Sequence, residues 1–232
     1  MTAILFENVS KQRGTGRRAV DVLRNVSFSL AEGEVVLLTG PSGSGKTTLL
    51  GLAAGLLSAD AGRIEIHNTR LEWTTLRQRV ALRSRAIGVV FQRPSLLSGL
   101  TARENVHLMA RLSGMTAKDA RAQTSQLFER LGIGGLADRY PHQLSGGEEQ
   151  RVGIARALVH GPPVILADEP TASLDAGPGD AVAALLQSVA AERAVAVLIA
   201  THDLRLRRFA SRFLQLAGGT LLEAGASSEG SR

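Results

Sequence analysis

One stretch of this chain, residues 40–47, restricts its possible folds more than any other. Its sequence, GPSGSGKT, follows the short apolar run of residues 35–38 and precedes the mostly apolar residues 48–53. A four-residue apolar run has the length of a buried strand, whereas the residues after the loop favour an amphipathic helix. The sequence therefore predicts a strand, a glycine-rich loop and a helix in direct succession.

The residue types in this loop match the needs of a polyphosphate. Glycines allow the backbone to curl so that successive N–H groups point inward at anionic oxygens, which the positive end of the following helix also attracts. Lys46 would reach the terminal phosphates, and the Thr47 hydroxyl would coordinate Mg²⁺. The alternative is a flexible Gly/Ser loop that happens to contain a lysine. The predicted nucleotide-binding residues are Gly40, Pro41, Ser42, Gly43, Ser44, Gly45, Lys46, Thr47 and Thr48.

Two adjacent carboxylates, Asp168 and Glu169, follow the apolar run of residues 164–167. Open α/β sheets bind ligands at the carboxyl ends of their strands, so both acids are expected at a ligand site. Asp168 is the better partner for a metal ion, directly or through water, and Glu169 is the better residue to orient and polarise an attacking water. In isolation, the pair could also form a simple turn before Pro170.

Residues 144–151, LSGGEEQR, have the spacing of a helix start. Ser145 would cap the helix, and Glu148 three residues later would complete a capping box. The two glycines between them allow another molecule to approach the backbone closely. The segment therefore predicts either a second phosphate-binding surface or a well-capped structural helix without a ligand.

The apolar pattern elsewhere predicts an α/β fold with two kinds of sheet. Continuous apolar runs such as residues 195–199 indicate strands covered on both faces, and hence a mainly parallel sheet around the nucleotide-binding loop. Alternating runs at residues 4–9 and 22–30 indicate an N-terminal antiparallel β subdomain, with residues 11–18 as an exposed basic hairpin loop. Further strands are expected at residues 63–66 and 87–91, and a terminal hairpin at residues 213–222.

Residues 40–47 have the spacing of a phosphate-binding P-loop, so the predicted core is that of a P-loop NTPase. A helical subdomain is expected at about residues 95–160, inserted into this core. Apolar residues recur at helical spacing after Thr101, which has capping-box spacing, and again after Thr116. We predict a single domain over residues 1–225. The small polar residues 226–232 indicate a flexible tail.

The composition of the 232-residue chain excludes several classes of protein. It has no cysteine, so disulfides, iron–sulfur clusters and thiolate zinc sites are impossible. No apolar run approaches the roughly 20 residues of a membrane-spanning helix, and the N-terminus lacks a secretion signal, so we expect a cytoplasmic chain. The net charge of +6 would suit nucleic acid, but an aromatic content of 3% leaves few platforms for stacked bases. No nucleic-acid partner is therefore expected.

Taken in order, these segments resemble the ATP-binding subunit of an ABC transporter over nearly the whole chain. A P-loop alone is only moderately specific, but a kinase or GTPase would not explain the signature at residues 144–148. The matching elements are the P-loop at residues 40–47, Gln92 after Phe91, the signature Leu144, Ser145, Gly146, Gly147 and Glu148, the Walker B acids Asp168 and Glu169, residues 173–175, and His202.

This resemblance implies ATP and Mg²⁺ as cofactors and a role for each matching residue. Gln92 would sense Mg²⁺ or the attacking water, His202 would contact the γ-phosphate, and Asp175 would help to join two subunits. Members of the family sandwich ATP between the P-loop of one subunit and the signature of another, so a second ATPase subunit is expected, in a homo- or heterodimer. The implied catalytic residues are Glu169, His202 and Gln92, and the implied metal ligands are Thr47, Gln92 and Asp168.

A weaker resemblance, carried partly by residues 91–97, FQRPSLL, links the chain to lipoprotein-releasing and macrolide-export systems. In those systems an ATPase dimer, peripheral to the cytoplasmic face of the membrane, drives a separate integral-membrane permease. The alternative is a soluble ABC ATPase that acts on nucleic acid or ribosomes. Only roughly a hundred residues separate the P-loop from the signature, too few for the long coiled-coil arm of members that act on DNA.

One position departs from the family pattern. An aromatic residue near the end of the first strand, often in a Lys-x-Tyr context, usually stacks on adenine, whereas this chain has Arg13 after Lys11 and Gln12. The planar guanidinium could stack on a purine, or this segment could contribute nothing. Because base stacking on an aromatic side chain contributes about 1–3 kcal/mol, we expect reduced selectivity for adenine.

Overall fold

The computed structural model describes residues 1–14, 16 and 19–224. Within these residues it has two sheets and six α-helices. The strands are β1 (Thr2–Arg13), β2 (Val20–Ala31), β3 (Val35–Thr39), β4 (Ala61–Ile66), β5 (Thr69–Arg70), β6 (Ile87–Val90), β7 (Val164–Asp168), β8 (Ala196–Ala200), β9 (Arg212–Ala217) and β10 (Thr220–Ala224). The helices are α1 (Lys46–Ala53), α2 (Leu76–Ala86), α3 (Ala102–Leu112), α4 (Ala117–Arg130), α5 (Gly146–Leu158) and α6 (Ala176–Arg193).

The larger sheet has the strand order β10-β9-β3-β8-β7-β6, and the pairs from β9 to β6 are parallel. Its central strands are buried on both faces, as their continuous apolar runs predicted. In β3, for example, Leu37 packs into one hydrophobic cluster and Leu38 into the other. The predicted parallel sheet and the terminal β9–β10 hairpin are therefore confirmed.

The smaller sheet is antiparallel, with the strand order β2-β1-β4-β5, as predicted for the N-terminal part of the chain. The prediction of an exposed loop at residues 11–18 is wrong for its first three residues, because β1 continues to Arg13 and pairs with β2 there. Asp60 holds this end of β1, since the Lys11 ammonium lies 2.6 Å from its carboxylate and the backbone N–H of Gln12 donates to it at 2.7 Å. Residues 15, 17 and 18, which include Arg17 and Arg18 of the predicted loop, lie outside the described residues.

Helices α3, α4 and α5 occupy the chain between β6 and β7, where a helical insertion was predicted. The hydroxyl of Thr101 accepts the N–H of Glu104 at the start of α3, and the hydroxyl of Thr116 accepts the N–H of Asp119 at the start of α4. Apolar residues of all three helices share one cluster with the parallel sheet, including Phe128. The treatment of about residues 95–160 as a subdomain, of residues 1–225 as one domain and of residues 226–232 as a tail stays a prediction.

No helix within the described ranges is both long and apolar enough to span a lipid bilayer.

Candidate active site

The sheet brings the predicted site segments to one edge. Strands β3, β7 and β8 are parallel neighbours, so the loops that follow Thr39, Asp168 and Ala200 leave the sheet at the same end. Backbone hydrogen bonds extend this alignment beyond the strands, because the N–H of Thr201 donates to Leu38 at 3.0 Å and the N–H of Glu169 donates to Ala200 at 2.8 Å. The P-loop, the acid pair and the segment around His202 are therefore adjacent.

The backbone of the P-loop curls in a way that requires glycine. Gly40 has φ +151°, and a Cβ atom there would collide with the carbonyl oxygen of Leu216. Inside the curl, the Lys46 ammonium donates to the carbonyl oxygens of Gly40 at 2.7 Å and Pro41 at 3.1 Å. The lysine is thus held by the loop, and it forms no ion pair with a described residue.

The first turn of α1, directly after this loop, has no side-chain cap. Its N-cap residue is Gly45, whereas α2, α3, α4 and α5 are each capped by the hydroxyl of a threonine or serine. The hydroxyl oxygen of Ser44 is also buried without a hydrogen-bond partner among the described residues. Unpaired N–H and O–H donors at a positive helix end suit a phosphate group.

Thr47 and Asp168 form the part of the site that suits a cation. The Thr47 hydroxyl donates to Asp168 Oδ2 at 2.8 Å. Burial raises the pKa of the Asp168 carboxyl above its ordinary value, against the lowering effect of the Thr47 hydrogen bond. No cluster of three or more His, Cys, Asp or Glu ligands occurs in the part of the chain that the structure describes. Mg²⁺ fits this oxygen pair only if phosphate and water oxygens complete its shell, which is its usual behaviour in nucleotide sites.

Glu169 is held in a fixed position beside this pair. Its backbone has φ +48°, an uncommon value for a residue other than glycine, and its side chain is 12% exposed. The Thr201 hydroxyl donates to Oε2 at 2.8 Å, and the backbone N–H of His202 donates to Oε1 at 3.1 Å. The ring atom Nδ1 of His202 also lies 2.8 Å from Oε1, and it carries the hydrogen because a carboxylate can only accept. Thr201 was not singled out from the sequence, although it is fully buried.

Gln92 lies two residues beyond the end of β6, the strand that pairs with β7, and its side chain is exposed. The structure thus brings Gln92 to the same edge of the sheet as Asp168 and Glu169, but no hydrogen bond within the described residues joins it to either acid. The residue before it is anchored, because Gln150 Nε2 donates to the Phe91 carbonyl oxygen at 3.1 Å. Gln150 is a site-associated residue that the sequence analysis missed.

The signature opens α5 as predicted. The Ser145 hydroxyl accepts the N–H of Glu148 at 3.3 Å, and the Glu148 carboxylate accepts the N–H of Ser145 at 2.7 Å. That backbone hydrogen bond lowers the pKa of Glu148 below its ordinary value. A Cβ atom on Gly147 would lie 3.1 Å from Leu174, so the signature abuts residues 173–175, whose exposed Asp175 caps α6 without a side-chain bond.

The P-loop and the signature are not joined within one chain. Across the ranges that the structure describes, no hydrogen bond or ion pair connects residues 144–148 to residues 40–48. One copy therefore presents two separate glycine-containing helix starts, of which that of α1 has no side-chain cap and that of α5 is capped by Ser145 and Glu148.

A cleft of about 560 Å³ continues from the P-loop towards the antiparallel sheet. Arg13 and Val22 line it from β1 and β2, opposite Thr48 of α1. Arg13 is exposed and takes part in no ion pair of the described residues. Arg13, which stands where the resemblance implies an aromatic residue, thus borders the cleft beside the P-loop.

A glycine-rich loop between a buried strand and an open helix start, with a threonine–aspartate pair and a held glutamate beside it, defines a P-loop nucleotide hydrolase. The comparison with protein families identifies which family of P-loop nucleotide hydrolases this is. Residues 23–172 match the ABC transporter family, and this chain belongs to that family.

Several known proteins are similar over nearly the full chain. The putative hemin import ATP-binding protein HrtA of Staphylococcus haemolyticus is 37% identical over 94% of this chain and 99% of its own length. The macrolide export ATP-binding/permease protein MacB of Mannheimia succiniciproducens is 37% identical over 96% of this chain but only 34% of its own length. A dimeric post-hydrolysis structure of the ATP-binding cassette MJ0796, bound to ADP and Pi, has 35% identity and a TM-score of 0.91 over 95% of this chain and 97% of that one.

The chain is therefore an ATP-binding ATPase subunit of an ABC transporter. The predicted α/β P-loop fold and the resemblance to this family are both confirmed.

Proposed function

We propose that the chain hydrolyses ATP·Mg²⁺ in a dimer, with each ATP held between the P-loop of one subunit and the signature of the other. The observation that carries this proposal is the separation of the P-loop from the signature in one chain. A second ATPase subunit, identical or related, would bring a signature onto each P-loop. The similar MJ0796 cassette, whose structure is described as dimeric with ADP and Pi, supports this arrangement.

The individual roles follow from the contacts of the side chains. The P-loop and Lys46 bind the phosphates. Thr47 and Asp168 would hold Mg²⁺, which would supply positive charge at the phosphates, and the resemblance adds Gln92 as a third ligand. Glu169 accepts a proton from the attacking water, because it is fixed by Thr201 and His202 rather than by a neutralising cation. As the resemblance implies, His202 contacts the γ-phosphate, Asp175 joins the subunits, and Leu144, Ser145, Gly146, Gly147 and Glu148 contact the ATP bound to the other subunit.

We further propose that this dimer drives an integral-membrane permease from the cytoplasmic face of the membrane. The name of MacB, which combines an ATP-binding part and a permease in one protein, supports such a partner and an export or lipoprotein-release system. The name of HrtA instead indicates import, so the direction rests on the weaker subfamily resemblance. Neither relative is named for nucleic acid or ribosomes.

A mixing experiment tests the composite site, which is the site formed by the P-loop of one subunit and the signature of the other. A chain with Lys46→Ala keeps its signature, and a chain with Ser145→Arg keeps its P-loop, so each homodimer lacks both sites while the mixed dimer retains one. With random pairing, the equimolar mixture should recover about a quarter of the wild-type rate of ATP hydrolysis. The matched control is a mixture of the Lys46→Ala chain with a Lys46→Ala, Ser145→Arg double variant, which has no intact pair. Recovery no greater than in this control would argue for a site within one chain.

Replacement of Arg13 tests how the base is held. We expect the wild-type chain to bind ATP and GTP with similar affinity, and Arg13→Tyr to strengthen ATP binding about tenfold through stacking. Titration of both nucleotides by calorimetry measures this, with exposed Arg121→Tyr as the control. The prediction fails if ATP binds far more tightly than GTP and Arg13→Ala changes nothing.

A further inference from the structure

Helix α2 lies at an outer edge of the molecule. It leads directly into β6, the strand at one edge of the larger sheet, and none of its residues is buried. Its sequence, LRQRVALRSRA, contains four arginines and no acid. Together with the tryptophan just before it, this helix forms an exposed surface that we call the α2 face. The α2 face consists of Trp73, Leu76, Arg77, Val80 and Arg85.

The apolar part of the α2 face is unusually open. Trp73 is 75% exposed and Leu76 is 77% exposed, and Val80 follows Leu76 by one helical turn on the same side. A single exposed apolar residue needs no explanation, but a group of them beside charged residues indicates an interaction surface. A cleft of about 310 Å³ beside α2 is lined by Val80 but not by Trp73 or Leu76. These two side chains therefore lie outside that cleft, on the open surface.

The charge of the α2 face is positive and is not balanced by nearby acids. Arg77 and Arg85 are exposed, and neither forms an ion pair with a described residue. Arg79 and Arg83 donate to backbone carbonyl oxygens, which leaves their charge in place. Glu72, the acid nearest to α2 in the sequence, accepts a backbone N–H of β4. The helix thus offers several positive charges to a partner outside the chain.

This combination of side chains suits the surface of an anionic membrane. Tryptophan favours the boundary between headgroups and acyl chains, because its ring is apolar and its N–H is polar. Arginine pairs with phosphate groups, and anionic lipids attract basic segments. The Arg70 guanidinium lies 4.2 Å from the centre of the Trp73 ring, so positive charge and apolar surface are already adjacent. A protein partner would need a fitted pocket for Trp73 and another for Leu76, whereas acyl chains adapt to both.

We propose that the α2 face binds the anionic lipid surface of the membrane directly. Arg77 and Arg85 contact lipid phosphates, while Trp73 and Leu76 enter the headgroup region. This inference goes beyond the proposed function, because contact with lipid requires neither a permease nor the composite site. The α2 face would hold the chain at the membrane in addition to any attachment through a permease.

Trp73 is the only tryptophan of the chain, so its fluorescence reports this contact. The purified full chain is mixed with phosphatidylcholine vesicles that contain either no anionic lipid or about 30% phosphatidylglycerol. With the anionic vesicles alone, we expect the emission to shift to shorter wavelength and the chain to sediment with the lipid. Both effects should weaken in 1 M salt, where the screening length falls to about 3 Å. Soluble glycerol phosphate should cause no shift, because it offers no apolar phase.

Substitutions in the α2 face test its two parts separately. Arg77→Gln combined with Arg85→Gln should lower the affinity for anionic vesicles roughly thirtyfold, because each arginine near such a surface contributes about fivefold. Leu76→Ser should also weaken binding, and it leaves the tryptophan reporter in place. The matched control combines Arg121→Gln with Arg193→Gln, two exposed arginines of α4 and α6, and should bind like the wild type. Thermal melting and ATP hydrolysis without lipid should be unchanged in all variants.

Three results would overturn the proposal. They are equal binding to neutral and anionic vesicles, an equal loss of binding in the matched control, and no binding to either kind of vesicle. The last result would leave the α2 face to a protein partner. None of the three bears on the composite site, which the mixing experiment tests separately, so the two proposals can fail independently.

Discussion

Replacement of Glu169 by glutamine is expected to lower the rate of ATP hydrolysis by about 10²–10⁴-fold, the usual contribution of a general base. ATP affinity should change little, because no hydrogen bond within the described ranges joins the Glu169 side chain to the P-loop. Measured kcat and ATP affinity of the purified variant check both parts. The variant should also accumulate as an ATP-dependent dimer, visible by light scattering, since the closed state can no longer be relieved by hydrolysis.

The contacts of Glu169 indicate that this substitution changes the chemistry of the side chain but not its packing. Glutamine has the shape of glutamate and can still accept from the backbone N–H of His202. Its amide nitrogen, however, cannot accept from the Thr201 hydroxyl or take a proton from water. The change therefore removes the base with little change in packing, and the thermal midpoint should stay close to that of the wild type.

Glu192→Gln is the matched control, because it makes the same chemical change at an exposed position near the end of α6. It should leave both the rate and the oligomeric state unchanged. Near-normal turnover in Glu169→Gln would mean that another residue accepts the proton from the attacking water.

The parts of the site that are local along the chain could be predicted from the sequence alone. The loop at residues 40–47 and the acids Asp168 and Glu169 are recognisable because each follows a buried strand directly, and parallel strands collect their carboxyl ends at one edge. The starts of α3 and α5 are likewise recognisable from their capping boxes, which span only four residues.

Helix α2 was not predicted, for a physical reason. None of its residues is buried, so it has no apolar period that the sequence could reveal. Arg79 and Arg83 attach it instead, through hydrogen bonds to Leu71 and Gly55 backbone oxygens. Such contacts depend on distant parts of the chain and leave no local pattern.

Contacts between site residues that are distant in the sequence also could not be predicted. Glu169 meets Thr201 and His202 only because β7 and β8 are paired in register. The sequence predicts a loop at Arg13 because basic, glycine-containing stretches are typical of loops. In the structure, Arg13 pairs with Val20 and is the last residue of β1. For Gln150 the sequence did contain a signal. It lies three residues before Gly153 and four before Ile154, so helical spacing places this polar residue on the buried side of α5.

Replacement of Lys46 by alanine is expected to weaken ATP binding by at least about a hundredfold, which corresponds to about 2.7 kcal/mol. Hydrogen bonds to charged groups contribute about 1.5–3 kcal/mol each, and Lys46 supplies the full positive charge of the P-loop. Calorimetric titration with ATP measures the loss. Lys118→Ala, which removes an exposed lysine from α4, is the matched control and should bind ATP normally.

Thermal melting separates the lost charge from a damaged loop. In the structure the Lys46 ammonium also holds the carbonyl oxygens of Gly40 and Pro41, so Lys46→Ala could disorder the loop itself. A ligand at a hundred times its Kd stabilises a protein by about 2.7 kcal/mol, so wild-type protein should melt at a higher temperature with saturating ATP. The variant should lose this increase yet melt close to the wild-type value without nucleotide, because its loop is still shaped by Gly40. Binding within about threefold of wild type would instead mean that the N–H groups of the loop and α1 hold the phosphates unaided.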